Sequence, residues 1–189
     1  MIINVILCIV LVAIIVIVIY MIATYNSLKT LTNKVKEAYS TMDVYLKKRY
    51  DLIPNLVEIV KGYAKHESET LENIVKERGY DNLSDNEKLK LNENITGEIN
   101  KLLLIAESYP ELRASENFRN LSENLVKVED DIASSRKYYN AIIRIYNNKV
   151  EMFPSNIFAK LFGYKEKSMF EASDDERKKV SVSLNEKDK

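Results

Sequence analysis

Residues 2–23 read IINVILCIVLVAIIVIVIYMIA, an apolar run interrupted only by Asn4, and how this run is read decides the fold. A helix of ~20 apolar residues, rising 1.5 Å per residue, crosses the hydrocarbon core of a bilayer. Its many Ile and Val side chains would be poor helix formers in water. In lipid, however, the backbone must satisfy its own hydrogen bonds, and the helix wins. Tyr20 suits the water–hydrocarbon boundary at the end of the span. A cleaved signal peptide would want a basic leader, a shorter apolar region and a small-residue cleavage site, so a retained anchor over residues 1–24 is the expectation. Lys29, Lys34 and Lys36 follow the run and no Lys or Arg precedes it, which predicts an N-terminus outside and a cytoplasmic C-terminal side.

Outward from the run, Leu28, Leu31, Val35, Ala38, Met42 and Tyr45 recur at alternating steps of three and four, the seam of a packed helix. The span is therefore expected to continue into the soluble part without a linker. Pro54 lacks a backbone donor and crowds the preceding turn, which predicts a kink or break near Asp51 to Ile53. Leu56, Val57, Val60, Ala64, Leu71, Ile74 and Val75 then resume a stripe expected to stop at Arg78 and Gly79. Ser84-Asp85-Asn86-Glu87 has the form of a capping box and starts a further helix. Its buried stripe would be Leu91, Ile95, Ile99, Leu102, Leu103 and Ala106, with Pro110 closing it.

A last long helix is expected from about Ser115 to Met152, carrying Leu121, Leu125, Val128, Ile132, Tyr139, Ile142, Tyr146 and Val150 on one face. Pro154 stops it, and Ile157 to Gly163 form a short helix expected to cover the core's open end with Phe158, Leu161 and Phe162. The charged tail from Lys165 has too few apolar residues for a stable strand. The expected fold is all-α: a transmembrane helix over 1–24, an antiparallel up-and-down bundle of long helices over 25–164, and a tail over 165–189.

Composition excludes several functions. Lys and Arg total 28 and Asp and Glu total 28, so no net field draws in nucleic acid or drives the chain as a whole onto anionic lipid. Four glycines and three prolines are too few turn-formers for a many-stranded β fold. Cys8, the single cysteine, lies inside the apolar run and cannot form an intramolecular disulfide or a cysteine zinc site.

Several strings carry a resemblance: Tyr25-Asn26-x-Leu28, Arg49-Tyr50-Asp51-Leu52-Ile53-Pro54-Asn55-Leu56-Val57, Lys61-Gly62-Tyr63-Ala64-x-His66-Glu67 and Tyr109-Pro110-Glu111-Leu112. With Tyr139-Asn140, Phe153-Pro154, and Gly163-Tyr164 ahead of Phe170, the chain resembles the LemA family of bacterial membrane proteins over nearly its whole length. Family members often carry tryptophan where this chain has Tyr39. The resemblance implies a bacterial inner-membrane anchor with a small external N-terminus and a helical-bundle body. It brings no established activity, no catalytic residue and no cofactor.

The remaining sharp readings each have a plainer rival. His66 and Glu69 stand one turn apart on an expected helix, but a di-iron bundle needs two Glu-x-x-His pairs and this chain has one histidine, so a structural histidine is favoured. Pro54, flanked by Asp51 and Asn55 as candidate caps, could be a partner-docking hinge or a kink that follows a curved core, and the kink is favoured. Tyr138, Tyr139, Tyr146, Phe153, Phe158, Phe162 and Tyr164 could line a peptide or lipid groove, with core packing the plainer reading. Lys47-Lys48-Arg49 is expected on a solvated or ion-paired face. No nucleophile–base spacing or glycine-rich phosphate loop stands out. The leading functional expectation is a scaffold that binds another protein. A membrane-organising oligomer comes second and a metal-dependent hydrolase a distant third.

Overall fold

The computed structural model describes residues 1–64, 71, 80 and 83–170. Among them the secondary structure is helical: α1 (Ile2–Tyr63), α2 (Asp85–Glu107), α3 (Pro110–Ala114), α4 (Glu116–Glu151) and α5 (Ser155–Leu161). The expected stop at Arg78 and Gly79, the residues His66, Glu67 and Glu69, and the tail beyond Phe170 lie outside the described residues.

α1 is one helix of 62 residues, about 93 Å at the usual rise, and it passes through Pro54 without interruption. The expected break there does not occur. A proline in a helix interior costs ~3 kcal/mol, but Pro54 lies on the exposed face while Ile53, Leu56, Val57 and Val60 are buried on the other. Four such side chains, each worth ~1.5–3 kcal/mol when buried, outweigh the lost hydrogen bond. Asp51 does not cap an interrupted backbone: it accepts from Lys47 Nζ at 2.7 Å, one turn back.

The bundle is built on α1 and α4, which run in opposite directions: Tyr39 faces Tyr139 and Arg49 faces Glu129. α2 runs alongside α1 in the same direction, Asp43 meeting Lys88 and Arg49 meeting Asn92 and Thr96. Their stripes form two core clusters. One gathers Met42, Leu46, Ile53 and Leu56 of α1 with Ile95 and Leu102 of α2 and Leu125, Val128 and Ile132 of α4. The other, nearer the apolar run, joins Leu28, Val35 and Ala38 to Ile142, Ile143, Tyr146 and Val150, with Ala159 of α5.

The helix ends follow local chemistry. Glu87 Oε2 accepts from the Ser84 backbone N–H at 2.8 Å and from Ser84 Oγ at 2.6 Å, so the capping-box reading holds. α2 stops at Glu107, and Pro110 opens α3 rather than merely closing α2, because proline suits a first helical turn. α4 spans Glu116–Glu151, as its periodicity predicts. α5 ends in a Schellman motif: Tyr164 N–H donates to Ala159 O, Gly163 N–H donates to Lys160 O, and Gly163 takes φ 74°.

Two expectations about the core fail. Leu103 is exposed because Leu102 and Ala106 already fill the α2 face toward α1. Phe158, Leu161 and Phe162 do not seal an open end, since α5 is held by its small residues Ser155 and Ala159, and Ile157 and Leu161 face outward.

Candidate functional site

The recognition residues divide among three places instead of converging on one. The first is a polar clamp inside the bundle. Arg49 occupies a core position of the α1 seam (Met42, Leu46, Arg49, Ile53, Leu56) and is 2% exposed, so it does not belong to a solvated basic face. Its Nη1 donates to Glu129 Oε1 at 2.6 Å and to Thr96 Oγ1 at 3.3 Å; its Nη2 donates to the Asn92 carbonyl at 2.5 Å and also to Asn92 Oδ1. One guanidinium thereby ties α1 to α2 and α4, which suits its rigid fork of donors. Lys48, beside it, is exposed.

Next to the clamp, Tyr50 stacks against Tyr80 at 5.4 Å with Lys47 Nζ 5.5 Å over the Tyr50 ring. The Tyr80 hydroxyl donates to Asp43 Oδ1 at 2.8 Å, and Lys88 Nζ donates to Asp43 Oδ2 at 2.9 Å. Burial, reinforced by the Asp43 carboxylate, pushes the Tyr80 hydroxyl far above the ordinary tyrosine range, so it acts as a fixed donor and not as a base.

The second place is a ladder on α4. Asn140 Nδ2 donates to the Phe170 carbonyl at 2.8 Å while its Oδ1 accepts from the Phe170 N–H at 2.7 Å. Asn147 does the same with Lys167, both bonds at 2.9 Å. Each side-chain amide thus imitates a peptide group of a neighbouring strand. The spacing matches: two helical turns advance about 10.5 Å, and three extended residues advance ~10 Å. The segment 165–170 is strapped antiparallel along α4, Tyr146 Oη donating to the Lys165 carbonyl at 2.9 Å. Phe170 packs on Tyr139 at 6.0 Å. Burial, and secondarily the neighbouring Tyr164, raises the Tyr146 hydroxyl above its ordinary range.

The third place lies where the bundle meets the apolar run. α5 crosses the last turns of that run, placing Phe158 5.8 Å from Tyr20 and Phe162 5.0 Å from Tyr25. Beside this contact a groove of about 560 Å³ opens between α1 and the end of α4. Tyr20, Leu31, Ile145, Met152 and Phe153 make its apolar wall, while Ser27, Thr30, Lys34, Asn148 and Lys149 supply polar groups; no carboxylate lines it. Of the aromatic residues read as core, Tyr146 is buried, whereas Phe153 is 80% exposed and Tyr138 also faces out. At this end the described residues packed on α4 are those of α1, α5 and the segment 165–170, and the flank that carries Phe153 is exposed among them.

The other recognition residues lie at helix starts or on exposed faces. Tyr109 is half-buried against the larger core and caps α3, Pro110 is its first residue, and Pro154 caps α5. Asn55, Gly62 and Tyr63 are exposed, and a Cβ at Gly62 would meet no atom within 4 Å. Among the described residues no three His, Cys, Asp or Glu side chains converge to hold a metal.

A helical bundle clamped by one buried arginine, and carried on a helix whose first turns are long and apolar enough to cross a bilayer, defines the class: a membrane-associated all-α protein. The LemA family model matches residues 38–184, and the chain belongs to the LemA family. A protein LemA of Metamycoplasma hominis is 28% identical over 161 residues, 84% of this chain and 74% of its own length. One of two MamQ magnetosome proteins of Paramagnetospirillum magneticum is 23% identical over 175 residues, and MamQ of Magnetospirillum gryphiswaldense is 23% identical over 174 residues. The chain spans 64% of the length of each of these magnetosome relatives.

Proposed function

We propose that the chain is a membrane-tethered scaffold, anchored through residues 2–23 of an inner membrane with its N-terminus outside, whose bundle presents a helical face to a protein partner in the cytoplasm. The carrying observation is the continuity of α1, which leaves the apolar run and becomes the central helix of the core with no linker between them. A flexible tether would fix only the bundle's location, whereas a continuous helix also fixes its height and rotation. Crosslinking in cells, followed by mass spectrometry, tests the reading: specific partners should be recovered with the full chain and lost when Gly-Ser-Gly is inserted just after Ala23 to interrupt α1. Recovery unaffected by that interruption would remove the reason for a rigid tether. A reporter fused after Lys189 should be active only in cytoplasmic form.

A second reading, in which self-associated bundles act on the bilayer itself, is favoured by the outward apolar corner at Phe153. Vesicles reconstituted at high protein density should then change shape, and unchanged morphology would sink it.

A further inference from the structure

The groove that runs from Tyr20 to Lys34 combines three properties along about 21 Å of α1. Its height is fixed first: Tyr20 and Met21 are the two residues of 2–23 that the bundle half covers, and Phe158 touches Tyr20 three residues before the run ends. Three residues are about 4.5 Å of helix, so any bilayer that holds the run places α5 in its interfacial zone.

Apolar exposure comes second. Met152, Phe153, Ile157 and Leu161 are exposed by 62, 80, 55 and 69%, and all four belong to the turn between α4 and α5 or to α5 itself. Water is a poor solvent for such a corner, and a lipid interface is a good one. The third property is charge. Lys149 stands one turn above Met152, and Lys34 stands across from it on α1; both line the groove, and neither has an ion-pair partner among the described residues. Lysine stems can lie along the apolar wall while their ammonium groups stay at the polar level.

We propose that this groove binds a glycerophospholipid with an anionic headgroup from the bundle-side leaflet. Its phosphate lies between Lys34 and Lys149, with Ser27, Thr30 and Asn148 as hydrogen-bonding neighbours, and its acyl chains descend past Met152 and Phe153. The bound lipid completes the uncovered flank of α4. This proposal rests on the reading that residues 2–23 span a bilayer, and the experiment reads that point separately.

The chain contains no tryptophan, so Phe153→Trp in the full-length protein creates a single fluorescent reporter. The protein is reconstituted in phosphatidylcholine vesicles containing a minor fraction of brominated-chain phosphatidylglycerol, or the same fraction of brominated-chain phosphatidylcholine. Flotation with the vesicles reports anchoring, and failure to float sinks the tether itself. Given flotation, quenching should be at least about twofold stronger with the anionic lipid, the scale expected for lysines at an anionic headgroup. Lys34→Gln with Lys149→Gln should remove that difference while flotation persists. A Val126→Trp reporter, on the exposed part of α4 far from the run, should show no lipid quenching. Equal quenching by the two lipids, or a preference that survives loss of both lysines, would overturn the site. So would displacement by inorganic phosphate that chloride at equal ionic strength does not reproduce, because it would assign the groove to a soluble anion.

Discussion

Truncating Arg49 to alanine should be the most damaging single change in the polar interior, at about 4 kcal/mol. The figure comes from three parts. Asn92, itself 2% exposed, loses the donors to its carbonyl and its Oδ1; a buried acceptor left unsatisfied costs ~1–3 kcal/mol. Thr96 Oγ1 still donates to the Asn92 carbonyl at 3.3 Å, so the lower half of that range applies. The cavity left by the long stem, between Leu46 and Ile53 in the seam, resembles a large-to-small core substitution at ~2–5 kcal/mol. Glu129 contributes little, since its side chain is 46% exposed and regains water; an exposed pair is worth ~1 kcal/mol or less. The expected order follows: Arg49→Ala costs most, Arg49→Met about half as much because the stem remains, and Glu129→Gln under ~1 kcal/mol. Urea unfolding of the full chain in detergent micelles, followed by far-ultraviolet circular dichroism, measures all three. If Glu129→Gln proves as costly as Arg49→Ala, the ion pair and not the Asn92 clamp holds the helices, and the reasoning fails. Against a total stability of ~5–15 kcal/mol, a 4 kcal/mol loss is easily resolved.

Other outcomes follow from the same physics. Replacing Asn140 and Asn147 with alanine removes the four side-chain bonds to Lys167 and Phe170, so trypsin should cut after Lys165 and Lys167 at least about tenfold faster; an unchanged rate would mean the strap is held by Phe170 packing alone. Pro54→Ala restores a helical N–H on an exposed face and should stabilise the bundle by ~1–3 kcal/mol, whereas destabilisation would show that the core requires the distortion proline imposes. The Ser84 side-chain and backbone bonds hold the Glu87 carboxyl below its ordinary value of 4.5. A depressed carboxyl contributes stability that is present above the unfolded value and lost as pH falls through the folded one, so the start of α2 should loosen only in acid below the ordinary range. Nuclear magnetic resonance titration of Glu87 checks this, and a midpoint at or above 4.5 would refute it; Ser84→Ala, which removes the side-chain bond and keeps the backbone one, should raise the midpoint part of the way. Gly163→Ala forces a side chain into positive φ and should cost about 1 kcal/mol in the same urea assay.

The long-range seam was legible because burial on a helix repeats at steps of three and four: Leu28, Val35, Ala38, Met42 and Leu56 lie in the core where the periodicity places them, while Leu31 and Tyr45 are only partly buried and Leu46 and Ile53 fill the seam beyond Met42. The same rule, applied without regard to polarity, also locates Arg49. It stands three residues after Leu46 and four before Ile53, and grouping it with Lys47 and Lys48 as a basic patch concealed that register. The break at Pro54 fails to form for a complementary reason, since a local steric rule is set against tertiary packing and the packing is larger. The strap was beyond reach. Asn140 and Asn147 are seven apart on α4, but nothing in the spacing of 165–170 announces an extended partner with no apolar alternation. The exposed corner was missed because aromatic residues at helical spacing usually pack inward, and only the positions of α1 and α5 reveal that this flank is uncovered among the described residues.

These placements give α1 a mechanical role beyond attachment. A helix lying mostly outside a fold can rotate about its axis at little cost, but α1 is gripped at two heights. Near the apolar run, Tyr20 and Tyr25 are held against Phe158 and Phe162; some 24 residues further, about 36 Å along the axis, Arg49 is held by α2 and α4 together. Two fixed points on one continuous helix determine rotation as well as position, so on the proposed reading twisting a span within the bilayer would carry the whole bundle with it. The α5 contact would be the sensitive one, since on the proposed reading it lies at the water–lipid boundary. A bilayer that favours a different depth for Phe153 and Leu161 would tilt the bundle through α5 without disturbing the Arg49 clamp.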